Sequence, residues 1–163
     1  MKTNESIKYH LWAEDLLKKL VDELPEETTR KPILEGKKTY REIYIHKMLS
    51  MWWWIQLLKG EEDAQMPDVN KMTTKVLLEE FITLFHELQQ ISKIRASRKV
   101  LLDDEKTEWV LMDAQEIVFN ILNHQTYHRG QIALGLGSQG KTIPESDYAP
   151  YIYQSRAHQN EKS

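Results

Sequence analysis

The prolines constrain this chain most. All five fall in three places: Pro25 with Pro32, Pro67 alone, and Pro144 with Pro150. A proline inside a helix removes a hydrogen bond and clashes with the preceding turn, at a cost of about 3 kcal/mol. The long proline-free stretches between them can therefore run as helices, and their apolar residues recur at helical spacing. From about Ser6 to Leu24, residues Leu16, Leu17, Leu20 and Leu24 form one stripe, extended by Trp12 and Ala13, and Pro25 ends it. The second segment opens on a capping box, Thr39 with Glu42, and runs to Lys59 before Gly60. It places Ile43, His46, Leu49, Trp53 and Leu57 on one face. A third, roughly Lys71 to Arg95, carries Leu77, Leu78, Phe81, Leu84, Phe85, Leu88 and Ile91. A fourth runs from about Asp113 to Gly135, with Ile117, Ile121, His124, His128 and Gln131 aligned.

Between the third and fourth segments, two short β-prone runs, 99–102 and 108–112, flank a charged turn and read as a small hairpin. Such a hairpin needs helices to pack on. Past Gly140 the spacing becomes irregular, and residues 154–163 read as a frayed polar tail. The expectation is an all-α four-helix bundle in a single domain spanning 1–163.

Composition narrows the chemistry. There is no cysteine, which excludes disulfides, thiolate metal ligands and a cysteine nucleophile, and fits a reducing cytoplasm. The net charge of −3 is spread along the chain, against a nucleic-acid partner. The basic run "SKIRASRK", Ser92 to Lys99, reads as a cationic helix end entering a loop. No apolar run reaches the length of a membrane span or a signal peptide, so no membrane partner is expected.

The histidines hold the chemical signal. His124 and His128 stand four apart in "NHQTYHRGQ", which puts both rings on one helix face, where two imidazoles can share a metal ion. Gln125 stands where a zinc protease would carry its glutamate base, so that chemistry is set aside. His46, on the second helix between Ile43 and Leu49, is either a buried histidine satisfied by a neighbour or a third ligand. It lies seven residues inside its helix, and His128 lies seven from the end of the last, each about 10 Å deep. The three rings meet at one level if those two helices run antiparallel. With the third and fourth helices antiparallel across the hairpin, the second and third must then be parallel. The link from Gly60 to Asn70 can span roughly 36 Å, against about 32 Å for a 21-residue helix. His10, His86 and His158 read as solvated or locally satisfied, with His10 a minor candidate for the same cavity.

Several stretches together carry a family resemblance: "YHLWAEDLLKKL", "PILEGKKTYREIYIHKMLSMWWWIQLLKGE", and "ILNHQTYHRGQIALGLGSQGKTIPESDYAPYI". The most specific parts are "NHQTYHRGQI" followed by Pro144 and Asp147, and His46 followed seven residues later by Trp53. The chain resembles the DinB-like (YfiT-like) metal-binding four-helix bundles. The resemblance implies a parallel middle pair of helices and a divalent metal held by His46, His124 and His128. It also implies thiol-dependent chemistry such as bacillithiol transfer, although many members have no established reaction. One departure stands out: many relatives carry a leucine-arginine pair where this chain has "ALGLGSQG". Gly135 and Gly137 are expected to loosen the helix end by roughly 1 kcal/mol each.

Three neutral imidazoles leave a divalent ion with open positions. The expected activity is transfer of a low-molecular-weight thiol to an electrophilic small molecule. A non-catalytic metal- or ligand-binding bundle and a metal-dependent hydrolase are the alternatives. Zinc or nickel is the expected metal, with cobalt and iron(II) also suited to an all-histidine site. Trp53 is expected to face inward near His46, with Trp52 or Trp54 serving as a homodimer contact or pocket wall. Arg129 reads as a structural ion-pair partner, or else as a residue that binds a substrate carboxylate. Gly130 is expected to permit close helix approach.

Overall fold

The computed structural model describes residues 3–61, 63–101 and 109–160. Four long helices form the body: α1 (Thr3–Asp22), α3 (Tyr40–Lys59), α4 (Thr74–Ile91) and α5 (Ala114–Ser138). A one-turn helix, α2 (Glu26–Thr29), follows α1, and α6 (Tyr148–Asn160) closes the described chain. Two antiparallel strands, β1 (Ser97–Leu101) and β2 (Trp109–Asp113), stand between α4 and α5, with Val100 opposite Val110. The expected hairpin is present; Leu102 and Glu108, which the sequence placed at its inner ends, lie outside the described residues. No described helix is long and apolar enough to cross a membrane.

Side-chain contacts give the helix directions. Arg41 donates to the Val69 carbonyl near one end of α3, and Lys59 pairs with Glu87 near the other, so α3 and α4 run the same way. Tyr40 lies against Gly135 while the Gln125 amide reaches the Lys47 carbonyl, so α3 and α5 run oppositely. The link after α3 returns along the bundle and enters α4 through a 3-10 turn, Val69–Lys71, anchored by Arg41. Thr73 caps α4, and Glu26 of α2 accepts from the Thr74 amide. The capping boxes at Thr39/Glu42 and Asp113/Glu116 each satisfy two otherwise unpaired amides.

The core face of α3 is Tyr40, Tyr44, Lys47, Met48, Met51, Ile55 and Leu58, rotated from the stripe read through Leu49 and Trp53. Three consecutive tryptophans carry no period, so they misled the reading of the face. The expected inward face of α4 is buried from Leu77 to Leu88. On α1 the buried set is Ile7, His10, Ala13, Glu14, Leu17 and Val21, partly off the leucine stripe.

The segment after Gly140 is a correction. Residues 148–160 form α6, so most of the expected tail is helical. Its helical period is weak, and tertiary packing on α1 holds it. Tyr151 donates to Glu5, Tyr9 donates to the Ser146 carbonyl, and Tyr148 and Tyr151 stack with Tyr9. Pro150 sits in the first turn, where its missing N–H costs nothing.

Gly135 also reads differently in three dimensions. A Cβ there would stand 2.9 Å from Ile33 Cβ and 3.0 Å from Tyr40 Oη, so the glycine is a notch that receives Ile33. Gly130 faces open space, and no helix approaches it closely. Gly135→Ala is expected to destabilise by about 1–3 kcal/mol through overpacking, despite its better helix propensity. Gly137→Ala meets only Ile143 at 3.8 Å and is expected to gain up to about 1 kcal/mol. Opposite shifts in the denaturant midpoints of the two variants would establish the notch.

Candidate metal centre

The antiparallel crossing of α3 and α5 brings His46, His124 and His128 together. The Nε2 atom of His124 lies 3.0 Å from that of His46 and 3.1 Å from that of His128. One ligand atom from each ring falls within 4.8 Å of the others. The rings are held edge-on, with centroids 4.5 to 4.9 Å apart.

Proton counting tests what this cluster suits. A ring nitrogen carries either one hydrogen or one lone pair. The Nδ1–H of His128 donates to Gln131 Oε1 at 2.8 Å, which leaves the His128 Nε2 lone pair facing the cluster. His124 Nε2 can then donate to His128 or accept from His46, but cannot satisfy both contacts. A cation that accepts all three lone pairs can. At a metal–nitrogen distance of about 2.1 Å, nitrogens about 3.0 Å apart subtend roughly 90° and leave the opposite side open. The donor set therefore fits a divalent ion.

The electrostatics agree, since metal ligation needs neutral rings. Burial, followed by the neighbouring His128, His46 and Lys47 charges, pulls His124 down to about 4. His46 is lowered by burial and then by His128 and Lys38. Burial also lowers His128, and its bond to Gln131 offsets part of that effect.

The residue after each histidine turns about 100° into the core. Lys47 is wholly buried, and its ammonium pairs with Glu14 of α1 and lies over the Tyr44 and Phe81 rings. Arg129 reaches the other Glu14 oxygen at 3.5 Å. Gln125 donates to the Lys47 carbonyl at 3.4 Å. Burial lowers Lys47 against the opposing pull of Glu14. The polar group Glu14–Lys47–Arg129 thus ties α1, α3 and α5 together directly behind the triad.

The cleft in front of the triad has a volume of about 690 Å³. Its walls include Ile33, Leu34, Lys38, Tyr127 and Leu134. Arg129 does not line it, because its guanidinium is committed to Glu14 and His10 in the core. Trp53 does not line it either. It is 42% exposed and sits with Trp52 and Trp109 beside a separate depression. His10 is buried behind the site, 3.5 Å from Arg129, rather than in the cleft. His86 is exposed, and the side chain of His158 lies outside the described residues. The sequence reading missed Glu14 and Lys47, because each is placed in the core by a partner 33 residues away. It placed Gln131 on the right face without its bond to His128.

The DinB family model matches residues 1–162 of the chain. Protein DinB of Bacillus subtilis (strain 168) is 23% identical over 158 residues, which cover 91% of this chain and 92% of that protein. The crystal structure of a DinB-like protein from Bacillus cereus ATCC 10987 has a TM-score of 0.54 at 18% identity. The match covers 82% of this chain and 89% of that one, and it speaks to the fold.

Two outcomes are expected from the polar group. Glu14→Ala leaves the Lys47 and Arg129 charges buried without their carboxylate, so denaturant unfolding should show a loss of about 3–5 kcal/mol. His10 is held neutral, with its pKa lowered to about 3 by burial and then by Arg129 and Lys47. The unfolded chain takes up that proton near its ordinary value of 6.5. The folded protein therefore loses stability as pH falls from about 6.5 toward 3. His10→Gln should show a smaller drop in Tm than the wild type between pH 7 and pH 4.5.

Proposed function

Because the chain belongs to the DinB family, and because three imidazole nitrogens converge beside an open cleft, we propose that it is a metal-dependent transferase. It moves a low-molecular-weight thiol of the bacillithiol type onto an electrophilic small molecule. The convergence of the three Nε2 atoms is the observation that carries this reading. Zinc or nickel is the proposed ion.

A divalent ion held there stabilises the anionic form of a thiol at neutral pH. The protein's own side chains do the rest. His46, His124 and His128 supply the ligand nitrogens, and Gln131 fixes the tautomer of His128. Ile33, Leu34 and Leu134 give the cleft an apolar wall against which an uncharged electrophile can pack. In the net reaction the thiol releases its proton to solvent and the sulfur bonds to the electrophilic carbon. The leaving group departs with its electron pair. The chain has no cysteine, so the sulfur must come from a small molecule.

One observation favours a second reading, metal or small-ligand binding without turnover: among the described residues, the cleft lining contains no carboxylate to act as a general base. The same feature weighs against metal-dependent hydrolysis.

Titration of metal-stripped protein with zinc and with nickel is expected to give one ion per chain. His46→Ala and His124→Ala should each weaken binding by at least about 100-fold. Loaded wild type should consume thiol in the presence of alkyl or aryl halides, and the variants should not. Equal metal binding by wild type and variants would overturn the site. Tight binding without turnover on a broad thiol panel would leave the second reading in its place.

A further inference from the structure

We propose that the cleft selects anionic ligands, and that Lys38, with Lys37 beside it, binds a ligand carboxylate while the ligand's donor atom reaches the metal. This inference rests on the metal-site reading above and adds the ligand class to it.

The charge distribution is one-sided. Among the described residues, Lys37, Lys38 and the three histidines are the ionisable groups of the lining other than the Tyr127 phenol, and no aspartate or glutamate joins them. Glu35 lies in the same turn but outside the lining. Among the described residues, neither lysine is paired with a carboxylate. Three neutral imidazoles do nothing to neutralise a divalent ion, and the two ammonium groups add to its charge. A ligand that offers a counter-charge to both centres therefore needs two anionic points, one at the ion and one at the lysines. A single ionised donor atom would leave the lysines without a counterion.

The lysines are presented by a fixed turn. Lys37 N–H donates to the Leu34 carbonyl at 3.0 Å, and Ile33 N–H donates to the Lys38 carbonyl at 3.1 Å. Gly36 takes the left-handed conformation that this tight turn requires, with φ of 68°. Pro32 and Thr39 bridge its base, and Ile33 is seated in the Gly135 notch. The backbone that carries Lys38 is thus held from both sides, so less ordering remains to be done when a ligand binds.

The test uses full-length protein loaded with cobalt(II), whose visible absorption reports ligands entering the coordination sphere. Acetohydroxamate and succinate monohydroxamate share a donor group, and the second adds a carboxymethyl group. Wild type is expected to bind the carboxylated probe about tenfold tighter or more, as for a charge-assisted contact. Lys38→Gln should bring the ratio close to one, with the cobalt spectrum and the affinity for acetohydroxamate retained. The double variant Lys37→Gln/Lys38→Gln shows whether the neighbour shares the role. Equal affinities in wild type, or a ratio that survives in the double variant, overturns the proposal. Mercaptoacetate and 2-mercaptoethanol are titrated in parallel. If neither thiol perturbs the cobalt spectrum, thiol transfer fails, while the hydroxamate ratio still decides the role of the lysines. If cobalt does not bind at all, the metal site and this inference fall together.

Discussion

The carboxylate of Glu14 is the contact on which the rest of this structure turns. It lies in the core between the ammonium of Lys47 and the guanidinium of Arg129, and so joins three helices at one point. Burying three charges is expensive, and apolar side chains of similar volume would give a bundle of equal or greater stability. What the arrangement supplies is register. A slip of α3 by one turn, about 5.4 Å, would carry Lys47 away from its partner and leave a buried charge alone. The same slip would carry His46 away from His124. Each histidine of the triad is followed by the residue that locks its helix: His46 by Lys47, His124 by Gln125, His128 by Arg129. The core therefore enforces the alignment that the site needs.

Much of the fold was legible because its signals are local. The capping box at Thr39, Gly60 after α3, and the proline placement follow from backbone chemistry within a few residues. The face of α3 was less legible. A helix with tryptophans at 52, 53 and 54 offers apolar residues in every direction, and the true face is centred on a lysine. A lysine belongs in a core only when its partner is known, and that partner is 33 residues away. The final helix was illegible for a related reason: α6 is held by Tyr148 and Tyr151 against α1, far away in sequence.

The candidate site was legible in its ligands and not in its surroundings. An i, i+4 histidine pair is a local pattern, and the equal depths of His46 and His128 tied it to a second helix. The cleft depends on the turn at 33–38, which sequence alone does not place beside α5. Only contact with the Gly135 notch puts it there. The glycine that reads as a weak point in a helix is, in space, the seat of a wall.

Arg98 carries a consequence for how the molecule breathes. From β1 it donates to the carbonyls of Leu57 and Leu58, closing the end of α3 with a side chain borrowed from the hairpin. The opposite end is closed by its own capping box. The C-terminal end, which Gly60 also caps, thus draws support from the hairpin that the N-terminal end does not. When the hairpin loosens, α3 can fray from Leu58 backward, yet His46 lies 11 residues from Leu57, about 16 Å along the axis. Local opening from the hairpin end is expected to stop in the tryptophan segment, with the amides around His46 exchanging only when the bundle unfolds as a whole.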